Sequence, residues 1–401
     1  MDNPGVIRIG GNSAGRASGP AAGAPPRPPQ ARLMELDVLR ALAALGVIVI
    51  HVTASALAAG PEAGRSFWLL AVLNEGARFS IPAFVFISGV ALFYTYADRP
   101  VQAGPFWRKR LGAVALPYLV WSLFYVLFTA WLGHVPMSKL PRLAGLAILQ
   151  GSAMYQLYFV VLILQFYLLF PFFRPLGKSR WLALLAIGAL ALQFWLMAKA
   201  APLWGWGPQP SWFQSVLRWQ DRLFPWWLGY FAAGAWMGVR LAQVRAFLRR
   251  WRWPLLVTSG ALLAALVWDF AARLAEPGAN VAWAASGFRP LAYGYSLAAI
   301  AAMLAVAPWL LGEEGAVEGG TRLRTSLVRP VTLDLARLSF GIYLVHPLVV
   351  TAWTYLLMKV KLPIGPALLF VVTFLVVLAG SYVFTRLAER LPFSHWIIGK
   401  V

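Results

Sequence analysis

Ten apolar stretches, each long enough to cross a lipid bilayer when tilt is allowed, occupy most of this 401-residue chain. Only 12% of the residues are charged, against about 25% in soluble domains. Because the hydrocarbon core offers the backbone no hydrogen-bond partners, each stretch is predicted to be an α-helix. The sequence therefore predicts an all-α polytopic membrane protein with about ten transmembrane helices, at 36–57, 79–97, 111–132, 154–173, 181–199, 224–240, 254–272, 288–310, 337–358 and 364–385.

The distribution of Lys and Arg predicts which side of the membrane each end of the chain faces. With the N-terminus inside, basic residues in cytoplasmic segments outnumber those outside by about two to one, as the positive-inside rule requires. Both termini are then cytoplasmic. Residues 1–32, rich in Gly, Ala, Pro and Arg, form a disordered tail, and 391–401 form a second, short one. The net charge of +21 follows this loop pattern and therefore does not indicate nucleic-acid binding.

The residue types that are absent limit the chemistry. Cysteine does not occur, which excludes thiol catalysis, cysteine-ligated metals and disulfides. Four histidines without cysteine give no reason to expect a metal site or a permanently bound cofactor. No P-loop, GxSxG or HExxH motif occurs either.

The first span carries ionisable residues that are costly within a membrane. Arg40 and His51 are eleven positions apart, which at about 100° per residue is roughly 20° from three full turns. Both therefore project from one helix face, ~16 Å apart along its axis, and Asp37 lies one turn before Arg40. This spacing predicts an anion-binding arginine near the cytoplasm and a proton-transfer histidine near the middle of the membrane. The alternative is that Asp37 and Arg40 form a local ion pair and that His51 only packs within the bundle.

Further polar residues lie in or beside the predicted spans, and each also has a structural interpretation. The basic residues could anchor helices at the membrane interface, and the tyrosines could belong to an aromatic belt. Ser88-Gly89 could allow a close helix contact, and the second intramembrane histidine could form a hydrogen bond within the bundle. As functional residues they would supply a cationic cytoplasmic rim, hydrogen-bond donors and a second proton carrier. These candidates are Arg78, Ser88, Arg108, Lys109, Arg110, Tyr158, Tyr343 and His346.

Five segments, in this order, resemble the acyltransferase-3 family of bacterial membrane acyltransferases over residues 33–390. They are Leu36-Asp37-Val-Leu-Arg40 with the spacing to His51, Arg78-Phe-Ser-Ile-Pro82 with Phe86-Ile-Ser-Gly89, Arg108-Lys-Arg110 before Pro117-Tyr118, Tyr155-Gln-Leu-Tyr-Phe159 with Tyr167 and Pro171, and Ser339-Phe-Gly-Ile-Tyr-Leu-Val-His-Pro347. The fourth segment is nearer to the branch that modifies exopolysaccharide or intercellular adhesin. Gln156 stands where the family usually has histidine, which leaves the role of this position open.

The resemblance implies an enzyme of the bacterial inner membrane that transfers an acyl group, commonly acetyl, from cytoplasmic acyl-CoA to a hydroxyl of a cell-surface or lipid-linked glycan. It implies that Arg40 and His51 are essential. We expect His51 to act as general base or transient acyl carrier, with His346 as a second proton relay and Asp37 as an orienting carboxylate. CoA phosphates would be held by Arg40, Arg108, Lys109 and Arg110. Substrate or oxyanion binding would fall to Arg78, Ser88, Tyr158 and Tyr343.

A polysaccharide exporter without enzymatic activity is the alternative that ten spans and a polar interior leave open. A transporter is expected to show helices that are broken near the membrane midplane. An acyltransferase is expected to show a cavity that joins Arg40, His51 and the cytoplasm.

Overall fold

A computed structural model describes residues 32–57, 60, 64–96, 99–133, 137–200, 211–312, 320–360 and 364–399, so the predicted tail at 1–32 lies almost entirely outside the described residues. Within these ranges the chain is helical and has no strand, which confirms the all-α prediction. The helices are α1 Met34–Leu57, α2 Arg65–Gly76, α3 Ser80–Tyr96, α4 Ala103–Trp131, α5 Leu140–Gln150, α6 Tyr158–Phe173, α7 Leu182–Ala200, α8 Ser211–Leu217, α9 Leu228–Val239, α10 Leu241–Arg250, α11 Arg252–Leu274, α12 Val281–Ala284, α13 Pro290–Leu310, α14 Gly320–Val360, α15 Pro366–Ala388 and α16 Ser394–Ile397.

Nine helical segments in the described ranges are long and apolar enough to cross a membrane, one fewer than predicted. The difference is the sixth predicted span, 224–240. There a four-residue 3-10 turn, Phe224–Trp227, leads into the twelve-residue α9, which is about 18 Å long. This segment is apolar and packs between α3 and α7 inside the bundle. Its 3-10 turn and helix together cover about 26 Å. They run beside α3 in the same direction, with Gly234 next to Phe86 and Gly238 next to Val90, so the predicted crossing at 224–240 is kept although no single helix has the length of the other nine.

The second predicted span begins earlier than its apolar pattern indicates, and it is broken. Helix α2 ends at Gly76, a 3-10 turn covers Ala77–Phe79, and α3 continues from Ser80. Pro82 lies in the first turn of α3, where its missing N–H removes no helical hydrogen bond. The Tyr295 hydroxyl donates to the carbonyl of Gly76 at 2.6 Å. Because the span begins at Arg65, Arg78 lies near its middle, inside the bundle, instead of at a membrane surface.

Helices α3 and α9 cross at close range because three glycines, Gly89, Gly234 and Gly238, lie at the crossing. A Cβ added to Gly89 would lie 2.2 Å from the carbonyl oxygen of Phe231, and one added to Gly234 would lie 2.1 Å from that of Phe86. Small residues at such crossings allow direct backbone approach. The predicted close contact at Ser88-Gly89 is therefore confirmed for its glycine, and it fixes α9 against α3.

The C-terminal segment, predicted to be a short tail, packs against the bundle. The Trp121 indole of α4 donates to the carbonyl of Ile397 at 2.7 Å, and Ile398 is buried. A Cβ added to Gly399, whose φ is +76°, would lie 2.9 Å from the Phe340 ring of α14. Residues 394–399 therefore belong to the packed helical unit.

Candidate active site

A cavity of about 220 Å³ surrounds one edge of His51. Its walls come from the second half of α1, the broken segment at 77–82, the start of α6, the end of α7, and parts of α9, α13 and α14. In the predicted topology, most of these helix segments lie toward the outer side of the membrane. The residues named as candidates that line it are His51, Arg78, Tyr158 and Tyr343, together with Gln156.

Arg40 and His51 both lie on α1, as predicted, and both approach the α6 segment. The His51 ring lies 4.2 Å, centroid to centroid, from that of Tyr155, just before α6 begins. Arg40 lies close enough to Tyr167, near the other end of α6, to act on it electrostatically. The cavity ends at Val47, however, about 10 Å along α1 from Arg40, so the expected continuous path between the two is not present among the described residues.

His346 stacks against His51 from α14. The ring centroids are 5.3 Å apart and the ring planes meet at 27°. His346 is completely buried, and its Nδ1 lies 2.8 Å from the carbonyl oxygen of Tyr343. Because a carbonyl can only accept, Nδ1 must donate, and in the neutral ring Nε2 is then unprotonated. Nε2 is buried without a partner in the part of the chain that the structure describes. His346 thus packs against the His51 ring and does not itself line the cavity.

Gln156 and Tyr343 connect the start of α6 to α14. The Tyr343 hydroxyl donates to the backbone carbonyl of Gln156, and the Gln156 amide lies 3.5 Å from the carbonyl of Leu344. A phenol has one proton to donate, so this bond occupies the donor that an oxyanion would need. Tyr343 therefore forms part of the cavity wall, while the Gln156 side-chain oxygen is buried without a partner among the described residues.

Arg78 is held at the cavity by the segment that carries it. One of its terminal nitrogens donates to the Asn74 side-chain oxygen at 2.6 Å, and its Nε lies 3.7 Å from Glu75. Asn74 in turn donates to the Thr53 hydroxyl at 2.7 Å, which ties this arrangement to α1 half a turn beyond His51. The Arg78 guanidinium is therefore connected by hydrogen bonds to α1, the helix that carries His51.

A buried chain of charges continues behind Arg78. Glu75 contacts Arg289 at 2.6 Å, Arg289 contacts Asp269 at 2.6 Å, and Asp269 contacts Arg273 at 3.1 Å. Glu75 and Arg289 are essentially inaccessible to solvent. Three guanidiniums against two carboxylates leave one surplus positive charge, and Arg78 is the only member of the five that lines the cavity.

A second ion pair lies near the cavity, between α8 and α9. Asp221 and Arg222 contact each other at 2.7 Å, and both act electrostatically on Tyr158. Burial raises the pKa of the Asp221 carboxyl, and the Arg222 guanidinium opposes that shift. This pair carries no net charge when both groups are ionised, so Arg78 supplies the net positive charge at the cavity.

The basic residues predicted to bind one anion together lie in two places. Arg110 lies over the Tyr96 ring, 5.8 Å from its centroid, and acts on Tyr167 together with Arg40. Arg108 and Lys109 instead line a groove of about 840 Å³ with His395 of α16. The split agrees with helix geometry, because Arg108 and Arg110 are two residues apart and therefore point about 200° apart around α4.

Two predicted residues lie away from the cavity. Asp37 is paired with Arg40 at 3.2 Å and lies ~21 Å along α1 from His51, too far to orient that ring. The Ser88 hydroxyl donates to the carbonyl of Phe84 at 2.9 Å, within its own helix, and does not line the cavity. In the described ranges, no three His, Asp or Glu side chains come together closely enough to hold a metal ion.

Sequence reasoning did not identify Glu75, Arg289, Asp269 or Tyr155 as part of this region. One signal was present: Glu75 and Arg78 are three residues apart, which places them on one helix face. Arg289, which precedes α13, and its second partner Asp269 on α11 leave no local pattern. From the sequence, Tyr155 fits an aromatic belt as well as a sugar-stacking surface, and in the structure its ring contacts that of His51.

Comparison with known families identifies residues 34–386 as an acyltransferase domain of the acyltransferase-3 type. This range begins with α1 and includes the helices that line the cavity. No curated protein and no solved structure matches the chain. The chain belongs to the acyltransferase-3 family and is a membrane acyltransferase.

Proposed function

We propose that the chain transfers an acetyl group from acyl-CoA to a hydroxyl of a cell-surface or lipid-linked glycan at the bacterial inner membrane. The observation that carries the proposal is that His51 and Arg78 line one cavity, so that a base and a fixed cation are available to one ligand. The modification of exopolysaccharide or a similar glycan fits the predicted position of this cavity in the outer half of the membrane.

The proposed reaction uses His51 as general base. Its ring accepts the proton of the acceptor hydroxyl while that oxygen attacks the thioester carbonyl carbon. Arg78 donates to the oxygen that becomes negatively charged in the tetrahedral intermediate. When the intermediate collapses, the carbon–sulfur bond breaks, and the CoA thiolate takes the proton from the His51 imidazolium. The products are the acylated hydroxyl and CoA thiol.

The rings around His51 restrict its orientation. The rings of Tyr155 and His346 lie 4.2 Å and 5.3 Å from that of His51, centroid to centroid. His346 also restricts the rotation of the His51 ring by packing against it. We assign it this supporting role in proton transfer.

CoA is proposed to bind at the cytoplasmic ends of α1 and α4. Arg40 and Arg110 act on the same tyrosine and are suited to the pyrophosphate, in line with His51 along α1. The groove of Arg108 and Lys109 is suited to the remaining phosphate of the nucleotide. The pantetheine arm would then pass the packed residues between Arg40 and Val47, so we propose that donor binding opens this stretch.

The exporter alternative receives support from one observation, the break at Ala77–Phe79. The same turn carries Arg78, whose buried ion pairs hold a cation at the cavity. This role accounts for the turn without transport. A cavity of about 220 Å³ is small for a passing polysaccharide chain. Membership of an acyltransferase family also favours the enzyme.

Membrane vesicles that contain the full chain and its glycan acceptor, supplied with radiolabelled acetyl-CoA, test the proposal. We expect label to move into the glycan with the unmodified protein and to be lost with His51→Ala. Ser55→Ala, one turn further along α1 at an exposed position, is the matched control and should retain activity. An undiminished rate with His51→Ala would contradict the assignment of the base.

A further inference from the structure

An apolar groove of about 510 Å³ lies between α3, α9, α10 and α13, outside the cavity that contains His51. One wall is α10, and the opposite wall is the cytoplasmic half of α13 in the predicted topology. Residues that define it are Trp236, Val244, Phe247, Leu297, Ala301 and Leu304. Its depth along α13, from Leu304 to Leu297, is about 10 Å.

The groove adjoins a smaller cavity of different character. This cavity, of about 250 Å³, shares Met237, Leu248 and Leu304 with the groove and adds charged residues to its lining. Glu35 and Arg245 are paired there at 2.5 Å, which leaves no net charge on the pair. Arg249 is exposed and forms no salt bridge with any residue that the structure describes. The smaller cavity therefore presents one positive charge at the end of an apolar groove.

This combination matches an amphiphile that has an acyl chain and an anionic headgroup. Helix α10 carries basic residues on the side of the membrane that is predicted to be cytoplasmic, and its apolar residues face α9 and α13. Basic pockets between helices on this side of a membrane recognise anionic lipid headgroups. A free phosphate ion would leave the apolar groove unfilled, and a zwitterionic lipid brings no net charge to Arg249.

We propose that the groove between α10 and α13 binds an anionic phospholipid of the cytoplasmic leaflet, with an acyl chain in the groove and the phosphate at Arg249. The proposal does not depend on the acyl-transfer reaction, because none of the residues lining the groove is assigned a step in it.

Native mass spectrometry of the full chain in detergent tests the headgroup. The protein is titrated with phosphatidylglycerol and with phosphatidylcholine of the same chain length. We expect preferential retention of phosphatidylglycerol and a loss of about fivefold in its affinity with Arg249→Gln, the effect of one basic residue near a lipid surface. Arg250→Gln, the next residue on α10 and outside both cavities, is the control and should change this affinity by less than twofold.

Filling the groove tests the chain-binding part. Ala301→Trp and Val244→Trp, from opposite walls, should each abolish retention of phosphatidylglycerol. Ala379→Trp, at an exposed position of α15, should leave it intact. Equal retention of the two lipids, or retention that survives both groove-filling variants, would overturn the proposal. Loss with both variants but not with Arg249→Gln would overturn the assignment of the phosphate.

Discussion

His51 and His346, from the first and ninth predicted spans, stack with their ring centroids 5.3 Å apart. The second ring is completely buried and donates from Nδ1 to the backbone of its own helix. Its Nε2 has no partner in the described ranges, which is costly for a buried polar atom. We propose that this pair of imidazoles, one lining the cavity and one packed against it, serves proton transfer as well as packing.

The two nitrogens of His346 can be tested separately. Asn places a donor near the Nδ1 position and removes Nε2, so His346→Asn should retain the bond to the Tyr343 carbonyl. We expect kcat to fall about a hundredfold, at the lower end of acid–base effects, with the KM for acetyl-CoA unchanged. The measurement is initial rates together with thermal unfolding. A variant of normal stability and normal kcat would show that His346 only packs the bundle.

The general-base and acyl-carrier roles of His51 predict different intermediates. A base leaves no acetyl group on the protein, whereas a carrier accumulates one when the acceptor is absent. We expect no label on the purified protein after incubation with radiolabelled acetyl-CoA and rapid denaturation at neutral pH. Label that appears with the unmodified chain and disappears with His51→Ala would instead establish the carrier.

Sequence reasoning placed the first helix and its polar residues correctly because both depend on local periodicity. The Arg40–His51 spacing is a property of one helix, and apolar length identifies spans in the same way. The broken second span was not predicted because its first helix, α2, contains Glu75 and Asn74, whose polarity hid its membrane location. Burial of Glu75 depends on Arg289, which is distant in sequence and has no periodic relation to it.

The same limit explains the separation of Arg108 and Lys109 from Arg110. Their adjacency in the sequence indicated one cationic rim, but only tertiary structure decides which helix face meets Tyr96 and which meets α16. Tyr343 is a similar case, because its candidate donor was apparent from the sequence while the Gln156 carbonyl that occupies it was not.

The buried charges predict a large stability difference between two carboxylates. Glu75→Gln leaves Arg289 without full compensation inside the bundle, and we expect a loss of about 3–5 kcal/mol in the free energy of unfolding. Glu389→Gln removes a carboxylate that contacts Arg337 and Arg386, both largely exposed, and should cost much less than Glu75→Gln. Denaturant titration in detergent measures both. Equal losses would contradict the burial of the Glu75 network.

The proposed phosphate site at Arg40 predicts a change in KM that is specific to the donor. Arg40→Lys keeps the charge but loses the planar fork that contacts two phosphate oxygens at once. Loss of one charge-assisted hydrogen bond, about 1.5–3 kcal/mol, should raise the KM for acetyl-CoA about tenfold to a hundredfold with little change in kcat. Arg250→Gln, another basic residue on the predicted cytoplasmic side, should leave this KM unchanged. An unchanged KM with Arg40→Lys would move the phosphate site away from α1, and the groove of Arg108 and Lys109 would then be the site to examine by the same substitutions.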